Sequence, residues 1–125
     1  MKVTASSPSP VMAHRLASLS DAEAMLADSQ QQPVLLFKHS TTCPVSMAAA
    51  SEIEAFEAMP GAPPCYVVVV QRARDVSAHL ATALDVRHES PQAVLVDAGT
   101  AVFAASHGRV RAGTLRSAFD AHSRS

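Results

Sequence analysis

Two kinds of apolar pattern alternate along the chain, one continuous and one at helical spacing. Val34-Leu35-Leu36-Phe37-Lys38-His39 is a short apolar run and predicts a buried strand. Tyr66-Val67-Val68-Val69-Val70 is the strongest strand signal: β-branched, continuous and uncharged, hence buried on both faces. Between them Val45, Ala49, Ile53 and Phe56 recur at helical spacing, which predicts a helix from about Pro44 to Ala58 with these residues inward. Pro60, Gly61, Pro63 and Pro64 break the chain behind it. Upstream, Ser20-Asp21-Ala22-Glu23 sets a hydroxyl three residues ahead of a carboxylate. That capping box opens a helix reaching about Asp28. Arg15 to Leu19 alternates weakly and reads as a short edge strand. Asp75 caps a third helix, with Val76, Leu80, Ala83 and Leu84 inward. After an irregular loop from Val86 to Gln92, Ala93–Asp97 and Ala101–Ala105 form a hairpin about the turn Ala98-Gly99-Thr100. A helix over Ala112–His122 ends the pattern.

The resulting order is β-α-β-α-β-α-β-β-α. Strands alternating with helices imply parallel pairing through right-handed crossovers, and the terminal hairpin adds antiparallel strands. A β-α-β half followed by a β-β-α half is the thioredoxin arrangement: an α/β fold with a central mixed sheet flanked by helices.

Composition changes this picture little. A chain of 125 residues, 48% apolar and 17% charged, suits one domain with one substantial core. The net charge of −1 offers no basic footprint for nucleic acid. No apolar run approaches the roughly 20 residues of a membrane span. Residues 1–13 hold Ser6-Ser7-Pro8-Ser9-Pro10 and lack the apolar core of a signal peptide. They read as a disordered arm ahead of a single domain over 14–125, with Met12 as an alternative start. The two cysteines, Cys43 and Cys65, are too few for a disulfide-stapled secreted domain or a thiolate zinc site, and the six histidines lack zinc-type spacing. The expected compartment is the reducing cytoplasm.

In that compartment Cys43 is the residue of interest. It follows a buried strand and a Ser-Thr-Thr loop and stands at the start of a helix, in Thr42-Cys43-Pro44-Val45-Ser46. Backbone N–H groups without helical partners converge there, and the helix dipole is positive. The thiolate, the form that attacks disulfides, is favoured in such a place. Pro44 suits the first helical turn. Ser46, three residues on, faces the same side and can hydrogen-bond the sulfur but cannot form a disulfide with it, so the site is monothiol. Cys65 begins its strand whereas Cys43 follows the end of the neighbouring one. In a parallel pair they lie at opposite edges, roughly 17–20 Å apart, against about 7 Å between the Cα atoms of a disulfide. Cys65 therefore reads as structural.

Other candidate groups gather where strands end, the edge at which open α/β sheets bind ligands. Lys38 and His39 end the first parallel strand, Arg72 and Arg74 follow the second, Arg87 and His88 flank the Pro91 loop, and His107 ends the last strand. Such cations attract an anionic thiol ligand. Ser90-Pro91 precedes a strand, the place where a thioredoxin fold carries a cis-proline beside its nucleophile.

Four separated blocks carry a resemblance: Phe37-Lys38-His39-Ser40-Thr41-Thr42-Cys43-Pro44-Val45-Ser46, Val70-Gln71-Arg72-Ala73-Arg74-Asp75-Val76-Ser77, His88-Glu89-Ser90-Pro91-Gln92 and Ala105-Ser106-His107. In this order they resemble the monothiol bacilliredoxins, thioredoxin-like proteins of the bacillithiol system, over about residues 15–120. The resemblance implies that Cys43 attacks a mixed disulfide between a client protein and bacillithiol, keeps the bacillithiol and releases the client. A further thiol or reductase then regenerates it. It implies Cys43 and Ser46 as catalytic residues, and Lys38, His39, Thr42, Pro44, Arg74, Ser90 and Pro91 as substrate-binding ones. It implies no tightly bound cofactor and no metal; bacillithiol or a similar small thiol, which in bacillithiol carries a malate group, is the co-substrate. The first turn departs mildly from the family, with Val45 where isoleucine is expected, and the Ala/Arg-rich character leaves the small thiol open. The competing readings are an iron–sulfur module like monothiol glutaredoxins, which carry glycine where this chain has Pro44, and a redox-sensing module without turnover.

Overall fold

The computed structural model describes residues 14–123, so the arm at 1–13 lies outside the described residues. The elements are α1 (Leu19–Asp28), β1 (Val34–His39), α2 (Pro44–Glu57), β2 (Cys65–Val69), α3 (Arg74–Leu84), β3 (Gln92–Asp97), β4 (Thr100–Ser106), a 3-10 turn over His107–Arg109, and α4 (Ala112–Ser123). The four strands lie in the order β2-β1-β3-β4. β1 runs parallel to β2 and antiparallel to β3, and β4 returns antiparallel to β3. This is the expected thioredoxin arrangement.

Strand β1 occupies an interior position, which is why Val34 to His39 is buried throughout. Its side chains alternate between two half-cores. Leu35 and Phe37 join Ala49, Ile53 and Phe56 of α2 and Ala112 and Leu115 of α4. Val34 and Leu36 join Ala22 and Met25 of α1 and Val76, Leu80 and Leu84 of α3. Each large apolar side chain so buried contributes roughly 1.5–3 kcal/mol, and the core needs no tryptophan.

Several local expectations are corrected. The capping box of α1 sits two residues earlier than read. The Ser18 hydroxyl accepts the Asp21 N–H at 3.1 Å, and the Asp21 carboxylate accepts the Ser18 N–H at 3.2 Å, so Ser20 lies inside the first turn. The edge strand expected at Arg15–Leu19 shrinks to a bridge between Arg15 and Val67, because the chain turns into α1 at Ser18. Val45 points to solvent, 47% exposed, and Ser46 takes the inward position of that turn. Ala73, not Asp75, is the N-cap of α3; Asp75 sits in the first turn and accepts the Val76 N–H at 2.9 Å. Ala83 is exposed, with Ser77 buried in the stripe instead.

Candidate functional site

The site is built where β1 hands over to α2. Cys43 is the N-cap of α2, in an extended conformation (φ −105°, ψ 121°), with Pro44 as the first helical residue. The Met47 N–H closes the first turn on the Cys43 carbonyl at 3.0 Å. Pro44 has no N–H, so the unpartnered donors of this terminus are the amides of Val45 and Ser46. The half-buried Cys43 side chain makes no capping hydrogen bond with them, leaving the sulfur open to a disulfide partner.

Gln71 fixes the approach loop. Its Nε2 donates to Thr42 Oγ1 at 3.2 Å and Thr41 Oγ1 at 3.4 Å, and its Oε1 accepts the Thr41 N–H at 3.3 Å. Sequence reasoning gave Gln71 no role: a glutamine after a strand carries no signal of the loop it will reach. The structure brings Thr42 to the site through this clamp.

The Ser46 hydroxyl is placed differently from expectation. It lies 2.7 Å from His39 Nδ1 and accepts the Ser40 N–H at 2.9 Å, and no hydrogen bond joins it to Cys43 among the described residues. His39 is buried and stacked on Phe37 at 5.1 Å. Burial, followed by the charge of Arg15, lowers the His39 pKa and favours the neutral imidazole. Ser46 and His39 thus form a polar bolt between β1 and α2 behind the cysteine.

Lys38 points to the opposite face. It is 0% exposed, and its ammonium donates to His88 Nδ1 at 3.1 Å. Burial pulls its pKa down to about 8, which leaves it mostly charged at neutral pH. Beside it on β3, Gln92 donates from Nε2 to the Arg87 carbonyl at 3.0 Å. Lys38 and Gln92 together hold the α3–β3 loop against the sheet. Lys38 and His39 are therefore too deep to meet a ligand directly; the freely exposed cations of this edge are Arg72, Arg74, Arg87 and His107. Among these stands Glu89, held below the usual carboxylate range by a hydrogen bond with Ser106 and then by the charges of His107 and Arg87.

The Ser90–Pro91 bond is cis, as the thioredoxin arrangement implied. Pro91 is buried, its carbonyl accepts the His107 N–H at 2.9 Å, and the buried Ser90 hydroxyl has no partner among the described residues. The β1–β3 register pairs Lys38 with Gln92, so Pro91 comes one step beyond, at the end of β1 that leads to Cys43.

Cys65 lies at the far end. It pairs with Leu35, while His39 pairs with Val69. Four residues of strand at about 3.3 Å each, plus the approach loop, separate it from Cys43, well beyond disulfide reach. It is 2% exposed, and burial first, then the neighbouring Glu57, pushes its thiol pKa far above the usual range. Glu57 is itself raised to about 7, chiefly by burial.

Comparison with known proteins agrees with this geometry. Residues 14–115 match the family model described as monothiol bacilliredoxin BrxC. A solved thioredoxin-fold structure described as that of a candidate oxidoreductase is 31% identical, with a TM-score of 0.77, covering 85% of this chain and 92% of its own. The thioredoxin of Fasciola hepatica, 17% identical, superimposes with a TM-score of 0.71 over 87% of this chain and 98% of its own. The thioredoxin of Trypanosoma brucei brucei, 9% identical, gives 0.74 over 98% and 100%. With a cysteine capping α2 at the sheet edge that also carries a cis-proline, and with the family match spanning nearly all the described residues, the chain belongs to the monothiol bacilliredoxins and is a thiol oxidoreductase of thioredoxin fold.

Proposed function

We propose that the protein strips bacillithiol from client proteins through Cys43 alone. The observation that carries this reading is the separation of the two cysteines: Cys43 caps α2, and Cys65 is buried at the other end of the parallel strand pair. The Cys43 thiolate attacks the small-thiol sulfur of the mixed disulfide. A new S–S bond forms to Cys43, the old one breaks, and the client leaves as a thiolate that takes a proton from solvent. With no second thiol in reach, the adduct persists until another small thiol or a reductase attacks it.

The remaining roles follow from position. The N–H groups of Val45 and Ser46 stand at the helix terminus that Cys43 caps. Thr42, Pro44, Ser90 and Pro91 frame the approach. Arg74 and its exposed neighbours attract the carboxylates of the small thiol. Lys38, His39 and Ser46 act from behind as positioning residues. The site of action is the reducing cytoplasm, where S-thiolated proteins are the clients.

The test is release of bacillithiol from a thiolated client, followed by intact mass. Cys43→Ser should abolish release, and Cys65→Ala should keep most of it; release that survives in Cys43→Ser sinks the proposal. Parallel exposure to bacillithiol disulfide and glutathione disulfide identifies the preferred thiol. A faster glutathione adduct would overturn the bacillithiol assignment and leave the chemistry standing.

A further inference from the structure

A second cluster of charge lies on the other face of the sheet. A cavity of about 360 Å³ opens there, lined by Val70, Arg74, Ser77, Ala78, Ala81 and His88. Four of these residues, Arg74, Ser77, Ala78 and Ala81, form one stripe of α3, and His88 faces them from the α3–β3 loop. Behind His88 sits Lys38, fully buried, and no ion pair involves it among the described residues. A buried ammonium held only by a neutral partner is an uncompensated charge.

The hydrogen bonds around His88 settle its tautomer. Nδ1 lies 3.1 Å from Lys38 Nζ and 3.1 Å from Ser77 Oγ. An ammonium donates and cannot accept, so Nδ1 is the acceptor and the ring proton is on Nε2. Burial and the Lys38 charge lower the His88 pKa, which keeps the ring neutral. With Nδ1 taken by Lys38 and Ser77, the ring nitrogen without a hydrogen bond among the described residues is Nε2–H, a donor polarised by the ammonium on the other side of the ring. Arg74 is exposed at the same cavity and presents a guanidinium fork, while the Asp75 carboxylate is engaged with the Val76 amide. Val70, Ala78 and Ala81 supply short apolar walls.

We propose that this cavity is a binding site for a small carboxylate, gripped by the Arg74 guanidinium and the His88 Nε2–H, with its carbon skeleton against Val70, Ala78 and Ala81. The volume suits a short mono- or dicarboxylate. The grip on a free carboxylate needs no Cys43 thiol, whereas a carboxylate delivered by the small thiol rests on the function proposed above. Its carboxylate belongs either to the small thiol carried by Cys43 or to a free metabolite.

The experiment is titration of the ¹⁵N-labelled full chain with succinate. Saturable amide shifts are expected at Arg74, Ser77, Ala78, Ala81 and His88, unchanged in Cys43→Ser. The His88 ring should show a protonated Nε2 and a bare Nδ1. Arg74→Ala, at an exposed position, should weaken succinate about tenfold through loss of the charged pair. Absence of saturation, a protonated Nδ1, or equal affinity in Arg74→Ala would overturn the site. Repeating the titration with Cys43 loaded by bacillithiol identifies the source. Loss of succinate binding assigns the carboxylate to the small thiol, and unchanged binding assigns it to a free metabolite.

Discussion

Ser46 shows how much a single hydroxyl can fix. It is buried between β1 and α2, and it satisfies both His39 Nδ1 and the Ser40 N–H. Ser46→Ala leaves those two groups without a partner, so it should cost about 1–3 kcal/mol, read as a lower urea midpoint. An unchanged midpoint would show that the bolt carries no weight. Glu57 makes a prediction of a different kind. Its folded-state pKa of about 7 lies above the ordinary 4.5, so the native state holds this proton more tightly than the unfolded chain. The associated stability is fully present below about 4.5 and is lost as pH rises through 7. Glu57→Gln keeps the neutral form at every pH. It should therefore gain on the order of 2 kcal/mol over the parent at pH 8 and nothing at pH 4. Denaturant melts at the two pH values decide this; an equal gain at both would refute it.

The relocated cap of α1 can be tested at the scale of the element. Ser18→Ala should destabilise by about 0.5–2 kcal/mol in thermal melts, while Ser20→Ala should change little. The opposite order would restore the cap first read from the sequence. That error is informative, because Ser18 and Ser20 are both serines upstream of acids, and only the path of Arg15 and Leu16 along Val67 selects Ser18. What the sequence made legible was periodic: β1, α2, β2 and the hairpin follow from apolar spacing, and Cys43 at a strand-to-helix junction follows from their order. What stayed hidden were contacts across long separations. Gln71 reaches Thr41 and Thr42, and Lys38 reaches His88 fifty residues away, through side chains whose targets only the packed sheet defines. Val45 and Ser46 exchange roles for the same reason: an apolar residue at helical spacing is expected inward, but His39 and Ser40 offered partners to the hydroxyl.

Across the whole molecule, two cysteines of opposite character give two independent readouts. Exposure to an oxidised small thiol should place a single adduct on Cys43, seen by intact mass and peptide mapping. Cys65, 2% exposed, should react only when the structure opens. Its labelling rate should rise with urea while that of Cys43 stays flat; native-state labelling of Cys65 as fast as that of Cys43 would contradict the buried position. The distance between these cysteines also bears on what the protein can sense. When Cys43 exchanges with a small-molecule disulfide, one disulfide enters and one thiol leaves. The two appear to equal powers in the equilibrium, so the fraction of loaded protein follows only the ratio of oxidised to reduced thiol and is indifferent to dilution of the pool. A centre that closes its own disulfide releases two thiols for each disulfide consumed, and its state shifts with the total amount. By keeping Cys65 at the far end of the sheet, the fold makes Cys43 a gauge of redox ratio that is blind to abundance.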